Sequence, residues 1–570
     1  MAIITADANE TIALIGARKA RSNLTKARIR WVIAALITVF LVVCARLVQL
    51  GYVDTDTTIE GQTRDIISAT RPAILDRNGM EMAVDIRVPS LFAEPRRIID
   101  VDEAVEKILT VLPDLDAGAL RKRLEGNRGF VWIKRELTPA IEEKIMRLGI
   151  PGLDFLTESK RFYPGGSEAS HILGAVNIDN QGIAGIERSM DNEDVALLQS
   201  IGLARGQALT PVNLSIDLRV QHAMHDQLAD ALVRYKAVAA AGAMMDIHTG
   251  EIIAMVSLPD FDPNDPRTAL VDGRLNRITS GKFELGSTFK TIAFAAALDS
   301  GAVKITDTFD ARFGVRFGRF TIDDFHGKHR ILSVPEIYKY SSNIGTIKME
   351  QALGKENYRA FLTRMGFDTP LVTELPERTA TSVPKQFSEI VAATASFGHG
   401  ISITPMHMLA AYAAIANGGN YITPTFYRRS LEDAQALYRP VISAQTSAEM
   451  RSLMRLNALE GSGTRMNKFA DGYRVGGKTG TAEKVVNGRY VANGLNLNVF
   501  ASVFPLDQPQ YAMIILVDEP KRENERTGDT AGWNAGEATG RIVARVAPLL
   551  GIAPNFDSVI DDRLVPASMR

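Results

Sequence analysis

An apolar segment that directly follows a cluster of basic residues constrains this chain more than any other feature. The segment runs from Trp31 to Leu50 and is interrupted only by Thr38, Arg46 and Gln49. About 20 residues of helix cross a hydrocarbon core of ~30 Å, and basic flanks stay in the cytoplasm. The sequence therefore predicts a transmembrane helix over 31–50, with 1–30 in the cytoplasm and the remainder outside it. The basic cluster is Arg18, Lys19, Arg21, Lys26, Arg28 and Arg30.

Two other interpretations of this segment are open to test. A cleaved signal peptide has a shorter apolar region and a small-x-small cleavage site, which does not follow here. A lipoprotein signal ending at Cys44 needs a small residue before the cysteine, where this chain has the bulky Val43. An uncleaved anchor fits best. Because no second segment of comparable length occurs in the sequence, a multi-span transporter is excluded.

Composition limits the remaining possibilities. A chain of 570 residues is too long for one ordinary domain and suggests two or three. A net charge of −1 gives no global basic signal for nucleic acid. With one cysteine, Cys44, the chain can form neither an internal disulfide nor a cysteine-based metal site.

Strand and helix patterns after residue 71 predict an α+β protein. Residues 71–210 show short mixed elements, whereas the later region opens with a hairpin, closes with strands and has helices between. This order predicts a mostly antiparallel sheet with helices on both faces. The predicted hairpin strands are 240–246 and 251–258, the later strands are 473–484, 498–505 and 511–517, and the helices include 217–235, capped by Asp217, 406–417 and 535–550.

A serine at the start of a predicted helix carries the strongest chemical signal. Ser287 follows Gly286, and Lys290 comes one helical turn later, so the amine is expected beside the hydroxyl. A serine hydroxyl becomes a good nucleophile when a neighbour accepts its proton. A lysine buried near positive charge has a lowered pKa and is suited to that task. The alternative is that Ser287 is only a helix cap.

The spacing alone is weak evidence, because about one or two Ser-x-x-Lys matches are expected by chance in a chain of this length. A second match is present, from Ser382 to Lys385, but Pro384 opposes a helix there. Only Ser287 lies at the mouth of a predicted helix after a glycine. The setting therefore favours Ser287 as the nucleophile.

Two later motifs add specificity. Ser341-Ser342-Asn343 is the only Ser-x-Asn in the sequence, although alone it could be a helix cap or a turn. Lys478-Thr479-Gly480-Thr481 follows Gly476-Gly477 in a strand-like segment, which alone could be an edge strand. Lysine with two hydroxyls is suited to bind a carboxylate, and glycine beside the lysine is expected to leave room for a substrate backbone.

The three motifs in this order resemble those of the penicillin-binding proteins and serine β-lactamases. The resemblance implies a penicillin-binding/serine β-lactamase-like transpeptidase fold, with an antiparallel sheet flanked by helices. It also implies a role for each motif residue. These roles are Ser287 as acylated nucleophile, Lys290 as base, Ser341 as proton relay, Asn343 as holder of the acyl-chain amide, Lys478 as positive field, Thr479, Gly480 and Thr481 as substrate-binding residues, and the backbone N–H groups of Ser287 and Thr481 as the oxyanion hole.

The preceding region resembles the class B penicillin-binding proteins. Ser342 stands where many β-lactamases have Asp, and 71–79 and 161–187 resemble the elongated pedestal of that class. The stretch 176–187 is most similar to the cell-division member, with the elongation member as the nearest rival. No glycosyltransferase region is seen. The implied domains are a pedestal (dimerisation-like) domain at 51–213, a transpeptidase domain at 214–552 and a tail at 553–570.

The resemblance implies cross-linking of peptidoglycan stem peptides through a serine acyl-enzyme that β-lactams trap. Alternatives are a D,D-carboxypeptidase, a β-lactamase, which the anchor and pedestal oppose, and a non-enzymatic β-lactam sensor or scaffold. Implied partners are an FtsW-like membrane glycan polymerase and other division proteins, at the septum of the inner membrane with the catalytic domain in the periplasm. No cofactor is expected. His326, His329, Asp323 and Asp324 could suggest a metal, but a polar loop is preferred and no metal is expected.

Overall fold

The computed structural model describes residues 31, 33, 34, 36–43, 71–192, 210–486, 489–490 and 495–569. The chain divides into a unit at 1–66 and a compact unit at 67–570. Residues 31, 33, 34 and 36–43 are helical. In the part of the chain that the structure describes, no helix is long and apolar enough to cross a membrane. The rest of the predicted anchor, with Cys44, the segment 1–30 and the connector 51–70, lies outside the described residues.

A five-stranded antiparallel sheet forms the centre of the larger region. The hairpin strands Ala239–Asp246 and Ile252–Leu258 lie at one edge, and the turn between them uses Gly250 at φ +77°. The strand Gly476–Glu483, called the motif strand below, lies at the other edge. Between them lie Asn496–Phe504 and Tyr511–Asp518. The antiparallel sheet that the sequence predicts is therefore confirmed.

Both faces of this sheet are buried. Alternate side chains of each strand point to opposite faces, so each strand contributes to two cores. Ala512, Ile514 and Leu516 join a core with the helix Pro405–Ala416. Met513, Ile515 and Val517 join a second core with the helices Leu218–Arg234 and Ala535–Leu549. Two cores on one sheet hold the motif strand rigidly at its edge.

The helices of this region agree with the predicted order of elements. Asp217 caps the helix Leu218–Arg234, as expected, and accepts a hydrogen bond from the Arg219 amide at 3.0 Å. The other helices are Phe289–Asp299, Val334–Tyr340, Asn343–Leu353, Lys355–Arg364, Glu389–Ser396, Leu431–Ala436, Ala444–Glu460 and Thr464–Phe469. Short antiparallel pairs are Thr308–Asp310 with Ile331–Ser333, Val315–Phe317 with Phe320–Ile322, Asn420–Tyr421 with Arg439–Pro440, and Val485–Val486 with Arg489–Tyr490.

The region before residue 214 has its own sheet and core. A long strand, Glu81–Ala93, pairs with Leu153–Phe162, Val131–Lys134 and Ile74–Leu75, and the last of these also pairs in parallel with Val212–Asn213. Three helices cover this sheet through Ile108, Leu120 and Ile145. These helices are Val101–Val111, Ala117–Leu124 and Pro139–Met146, and further short elements are Ala175–Val176, Gly182–Ala184, Ser170–Leu173 and Gly185–Asn192.

A cluster of buried charges, called the pedestal charge cluster, lies between these elements and consists of Arg71, Asp85, Arg161 and Glu187. The Glu187 carboxylate accepts from Arg71 Nε at 2.8 Å and from Arg161 Nε at 2.6 Å. Arg161 Nη1 also donates to Asp85 at 3.0 Å. Burial lowers the pKa of Arg161, but Glu187 and Asp85 outweigh burial and raise it. The paired guanidinium therefore stays charged.

The segment 553–570, expected as a tail, contains a helix in its described part. Ser558–Leu564 is helical, and Asp561 accepts two hydrogen bonds from Arg455, at 2.7 Å and 2.8 Å. Val565 is fully buried. The segment thus packs against the helix Ala444–Glu460, a contact between residues far apart in sequence.

Candidate active site

Ser287 lies in a single turn that leads into a buried helix. Gly286–Thr288 form a 3₁₀ turn, and the α-helix, called the nucleophile helix below, follows as Phe289–Asp299. The predicted helix start is therefore correct to within two residues. Ser287 is half-buried, and its hydroxyl has no hydrogen-bond partner among the described residues. The hydroxyl is available to a ligand.

Gly286 brings this turn against the motif strand. Its φ of +52° lies in the left-handed region, where glycine is favoured. A methyl group on Gly286 would lie 2.7 Å from the Thr481 carbonyl oxygen and 3.2 Å from the Thr481 amide nitrogen. A side chain cannot fit, so the backbones of Ser287 and Thr481 lie side by side. The structure brings together the two residues that were predicted to form an oxyanion hole.

Lys290 is completely buried one turn after Ser287. Its Nζ donates to the carbonyl oxygen of Ser341 and, at 3.1 Å, to the Ser341 hydroxyl. No hydrogen bond joins it to Ser287 among the described residues, because the two Ser341 oxygens hold the amine. Burial and the charge of Lys478 lower the pKa of Lys290 well below its usual value, and Asp324 opposes this shift.

Ser341 forms the corner between the helices Val334–Tyr340 and Asn343–Leu353. Its φ of +57° is left-handed, an uncommon conformation for a residue other than glycine. Ser342 then caps the second helix and accepts from the Gly345 amide at 3.0 Å. The motif is therefore both a cap and part of the site. The corner directs both Ser341 oxygens at Lys290.

An acidic residue that the sequence interpretation placed in a polar loop contacts this corner. Asp324 accepts from the Ser342 hydroxyl at 2.7 Å and from the Ile344 amide at 3.0 Å. The Asn343 amide group donates to the Asp323 carbonyl oxygen at 3.1 Å. No group of three or more potential metal ligands occurs among the described residues. The sequence carries one available signal for this contact, the acidic pair Asp323-Asp324, which ends 17 residues before Ser341.

Lys478 lies at the centre of the motif strand and is also fully buried. Burial lowers its pKa to about 7, and its Nζ donates to the Thr479 carbonyl oxygen at 3.3 Å. The Thr479 hydroxyl shares a 2.6 Å hydrogen bond with Ser462, a residue that the sequence did not single out. The Thr481 hydroxyl accepts from the Ala531 amide at 3.3 Å. Both hydroxyls are held in place.

The glycines of the motif strand lie against the protein's own backbone on the side where a Cβ would stand. A methyl group on Gly477 would lie 2.1 Å from the Ala501 carbonyl oxygen, and one on Gly480 would lie 2.2 Å from the Leu285 carbonyl oxygen. A side chain at either position would therefore clash with neighbouring backbone. Gly480 thereby lets the motif strand contact the turn that carries Ser287.

Buried hydroxyl groups join the nucleophile helix to the helices that pack against it. Thr291 hydrogen-bonds to the hydroxyls of Tyr338, at 2.8 Å, and Tyr412, at 2.7 Å. Tyr412 donates in turn to the Thr288 carbonyl oxygen at 3.1 Å. These bonds link the first turn of the helix to two neighbouring helices, so Ser287 has a rigid support.

The second Ser-x-x-Lys match has none of these features. Ser382 lies outside any helix, in an isolated bridge with Ser402, and accepts a hydrogen bond from Lys282 at 2.9 Å. Both Ser382 and Lys385 are exposed. The predicted difference in setting is confirmed, since Ser287 leads into a helix and Ser382 does not.

Comparison with known proteins now identifies the family. Residues 240–541 match the penicillin binding protein transpeptidase domain, and residues 66–195 match the penicillin-binding protein dimerisation domain. The chain is a class B penicillin-binding protein. The two matches fall within the predicted transpeptidase and pedestal domains, and all three motifs lie within the first match.

Relatives of this penicillin-binding protein extend over most of its length. It is 37% identical over 494 residues to the "Probable peptidoglycan D,D-transpeptidase FtsI" of Caulobacter vibrioides, covering 85% of this chain and 82% of the relative. It is 28% identical over 491 residues to the "Peptidoglycan D,D-transpeptidase FtsI" of Escherichia coli strain K12, covering 81% and 82%. The crystal structure of Penicillin Binding Protein 2X from Streptococcus thermophilus superimposes with a TM-score of 0.66 at 22% identity, covering 87% and 81%, which shows a shared fold.

Proposed function

We propose that this protein is a peptidoglycan D,D-transpeptidase in which Ser287 attacks the penultimate D-Ala carbonyl of a stem peptide. The observation that carries this is the contact of the Ser287 turn with the motif strand, next to two buried lysines. The reaction class follows from the transpeptidase domain and from relatives named peptidoglycan D,D-transpeptidase. Attack forms an ester to Ser287 and expels the terminal D-Ala.

Lys290 is the base in this proposal. Its lowered pKa favours a neutral amine, which has two N–H donors and one lone pair. The two donors are used by the two Ser341 oxygens, so the lone pair is left to accept the proton of Ser287. The Ser341 hydroxyl, 3.1 Å from Nζ, passes that proton to the leaving D-Ala amine.

The motif strand binds the substrate in this proposal. The hydroxyls of Thr479 and Thr481 hold the terminal carboxylate, Lys478 supplies positive charge when protonated, and Gly480 keeps the strand against the turn. The amides of Ser287 and Thr481 stabilise the oxyanion, each by about 3 kcal/mol of barrier as at comparable sites. Asn343 binds the acyl-chain amide.

An amine of a neighbouring stem then attacks the acyl-enzyme and completes the cross-link. β-Lactams acylate the same serine, and water releases them slowly. The names of the relatives and the resemblance of 176–187 to the cell-division member support a role at the septum. The proposed partners are a membrane glycan polymerase and other division proteins.

The membrane anchor over 31–50 is part of this proposal, with 1–30 in the cytoplasm and the catalytic domain in the periplasm. The apolar segment and its basic flank support it. The boundaries 51–213, 214–552 and 553–570 complete the domain proposal. Localisation of a tagged copy, with depletion of the protein, tests the cellular role: midcell signal with filamentation supports division, and rounded cells support elongation.

A fluorescent penicillin tests the nucleophile. We expect Ser287→Ala to lose covalent labelling and Ser382→Ala, in the second Ser-x-x-Lys match, to keep it at the native rate. Labelling of Ser287→Ala would refute the assignment. Incubation with a stem peptide and an acceptor amine then distinguishes the reactions: a cross-linked dimer is the expected product, whereas release of D-Ala without a dimer would indicate a carboxypeptidase.

A further inference from the structure

Asp324 hydrogen-bonds to the serine–asparagine motif and acts electrostatically on Lys290, but it has no role in the proposed reaction. It follows the strand Phe320–Ile322, the second strand of a short hairpin. Asp324 is half-buried, and each of its carboxylate oxygens accepts one hydrogen bond, from the Ser342 hydroxyl at 2.7 Å and from the Ile344 amide at 3.0 Å. One side chain therefore binds both the central serine of the motif and the residue that follows the motif.

The Ser342 hydroxyl donates to Asp324 and at the same time accepts from the helix backbone. The Ser342 oxygen already accepts from the Gly345 amide at 3.0 Å, so its own proton is free to point at Asp324. A negative charge at this helix start is also favourable. The neighbouring Asp323 carbonyl oxygen holds Asn343. The two residues that follow the hairpin thus hold two motif residues, Ser342 and Asn343, and the adjacent Ile344.

We propose that Asp324 is a positioning residue for the acylation step, which holds the Ser341 corner so that both Ser341 oxygens stay on Lys290. The left-handed backbone of Ser341 is strained and persists only where neighbours enforce it. The inference rests on the proposed roles of Ser287 and Lys290. It adds a residue, outside the three motifs, that controls the base.

The negative charge of Asp324 also affects the pKa of Lys290. Burial and Lys478 lower the pKa of Lys290, whereas Asp324 raises it. His399, which follows the helix Glu389–Ser396, is a further titratable group that interacts with Lys290, and burial and then Lys290 lower the pKa of this histidine. Removing the Asp324 carboxylate therefore lowers the pKa of Lys290. Because the amine must be neutral to accept a proton, the acid limb of the acylation profile moves to lower pH.

The test compares acylation rates by fluorescent penicillin across pH for Asp324→Asn and Asp310→Asn. The amide nitrogen of asparagine cannot accept, so one of the two bonds is lost and we expect a fall of about 10- to 100-fold, the scale of a displaced catalytic group. The acid limb should also move to lower pH. Asp310 lies in the same segment, but its carboxylate binds the exposed Arg312 at 2.9 Å, so its variant should match the native protein.

The variant Asp324→Glu distinguishes the effect of the charge of Asp324 from the effect of the position of its carboxylate. Its charge is kept but its carboxylate is displaced, so we expect a lower rate with an unmoved acid limb, and thermal melts show whether each variant is folded. The proposal is overturned if folded Asp324→Asn acylates within about twofold of native or keeps the native limb, since a displaced group costs far more. If Asp324→Asn does not fold, a native rate for Asp324→Glu overturns it. Labelling of Ser287→Ala would instead refute the proposed function.

Discussion

The pedestal charge cluster and the candidate active site both bury cations, but the partners of these cations differ. In the pedestal, the guanidiniums of Arg71 and Arg161 each bind the Glu187 carboxylate directly. In the candidate active site, Lys290 and Lys478 are buried near each other, and the hydrogen bonds of their amines go to neutral oxygens. Pairing raises the pKa of Arg161, whereas burial without a bound carboxylate lowers the pKa of both lysines.

Because the buried arginines are paired and the buried lysines are not, the two groups should affect different properties, namely stability and reaction rate. A paired buried charge is costly to break, because the remaining partner is left uncompensated in a medium of low dielectric constant. An unpaired buried lysine already destabilises its charged form, and a neutral amine at neutral pH is what a general base requires. The pedestal cluster should therefore control the free energy of unfolding, and the two lysines should control the rate of acylation.

The largest expected effect is on the rate, from Lys290→Met. Methionine fills similar space without an amine, so we expect acylation by fluorescent penicillin to fall by about 10²–10⁴-fold, the usual contribution of a general base. The unfolding midpoint should stay the same or rise, because a buried amine is removed. The control is Lys385→Met, the exposed lysine of the second match. Acylation within tenfold of native would mean that another group is the base.

The next effect is on stability, from Glu187→Gln. The neutral amide leaves Arg71 and Arg161 without their shared carboxylate, and breaking a buried pair costs about 3–5 kcal/mol. Urea unfolding followed by tryptophan fluorescence measures the loss, and the acylation rate of the folded protein should not change. Asp114→Asn, which breaks an exposed pair with Lys134, should have a much smaller effect. Equal losses would show that burial does not distinguish the two pairs.

The lowered pKa of Lys478 should make the free energy of unfolding depend on pH. Its pKa is about 7 in the folded protein, against 10.5 as the usual value. Between these values the unfolded chain binds more protons than the folded protein, so stability rises with pH, by up to about 1.4 kcal/mol per pH unit. We expect Lys478→Met to reduce this rise in urea titrations between about pH 7 and 10, and the part due to Lys290, whose pKa is also lowered, to remain. Arginines with raised pKa values contribute no such slope there. A variant with the native slope would contradict the shift.

Sequence patterns predicted the helices and strands, which depend on local sequence, but missed the hydrogen bonds between residues far apart in the chain. The hairpin, the motif strand and the nucleophile helix follow from patterns within each segment. The Asp324–Ser342 bond joins residues 18 apart, and the Arg71–Glu187 bond joins residues 116 apart. No local pattern encodes such contacts, because tertiary packing creates them. The contacts of Gly477 and Gly480 with the backbone of Ala501 and Leu285 were missed for the same reason.

The smallest expected effect comes from a neutral hydrogen bond at the edge of the site. The Ser462 hydroxyl shares a 2.6 Å hydrogen bond with the Thr479 hydroxyl and orients it. A neutral bond contributes about 0.5–1.5 kcal/mol, so Ser462→Ala should weaken binding of the penicillin carboxylate by about 2- to 10-fold. The limiting acylation rate should not change, because Lys290 is untouched.

Saturation kinetics separate the two quantities for Ser462→Ala. The control is Ser452→Ala, since the Ser452 hydroxyl bonds only to the Ala448 carbonyl oxygen of its own helix, at 3.1 Å. A lower limiting rate with unchanged affinity would place Ser462 on the chemical step instead. The expected result, weaker affinity at a constant limiting rate, would show that neutral bonds position the substrate while the buried lysines drive the chemistry.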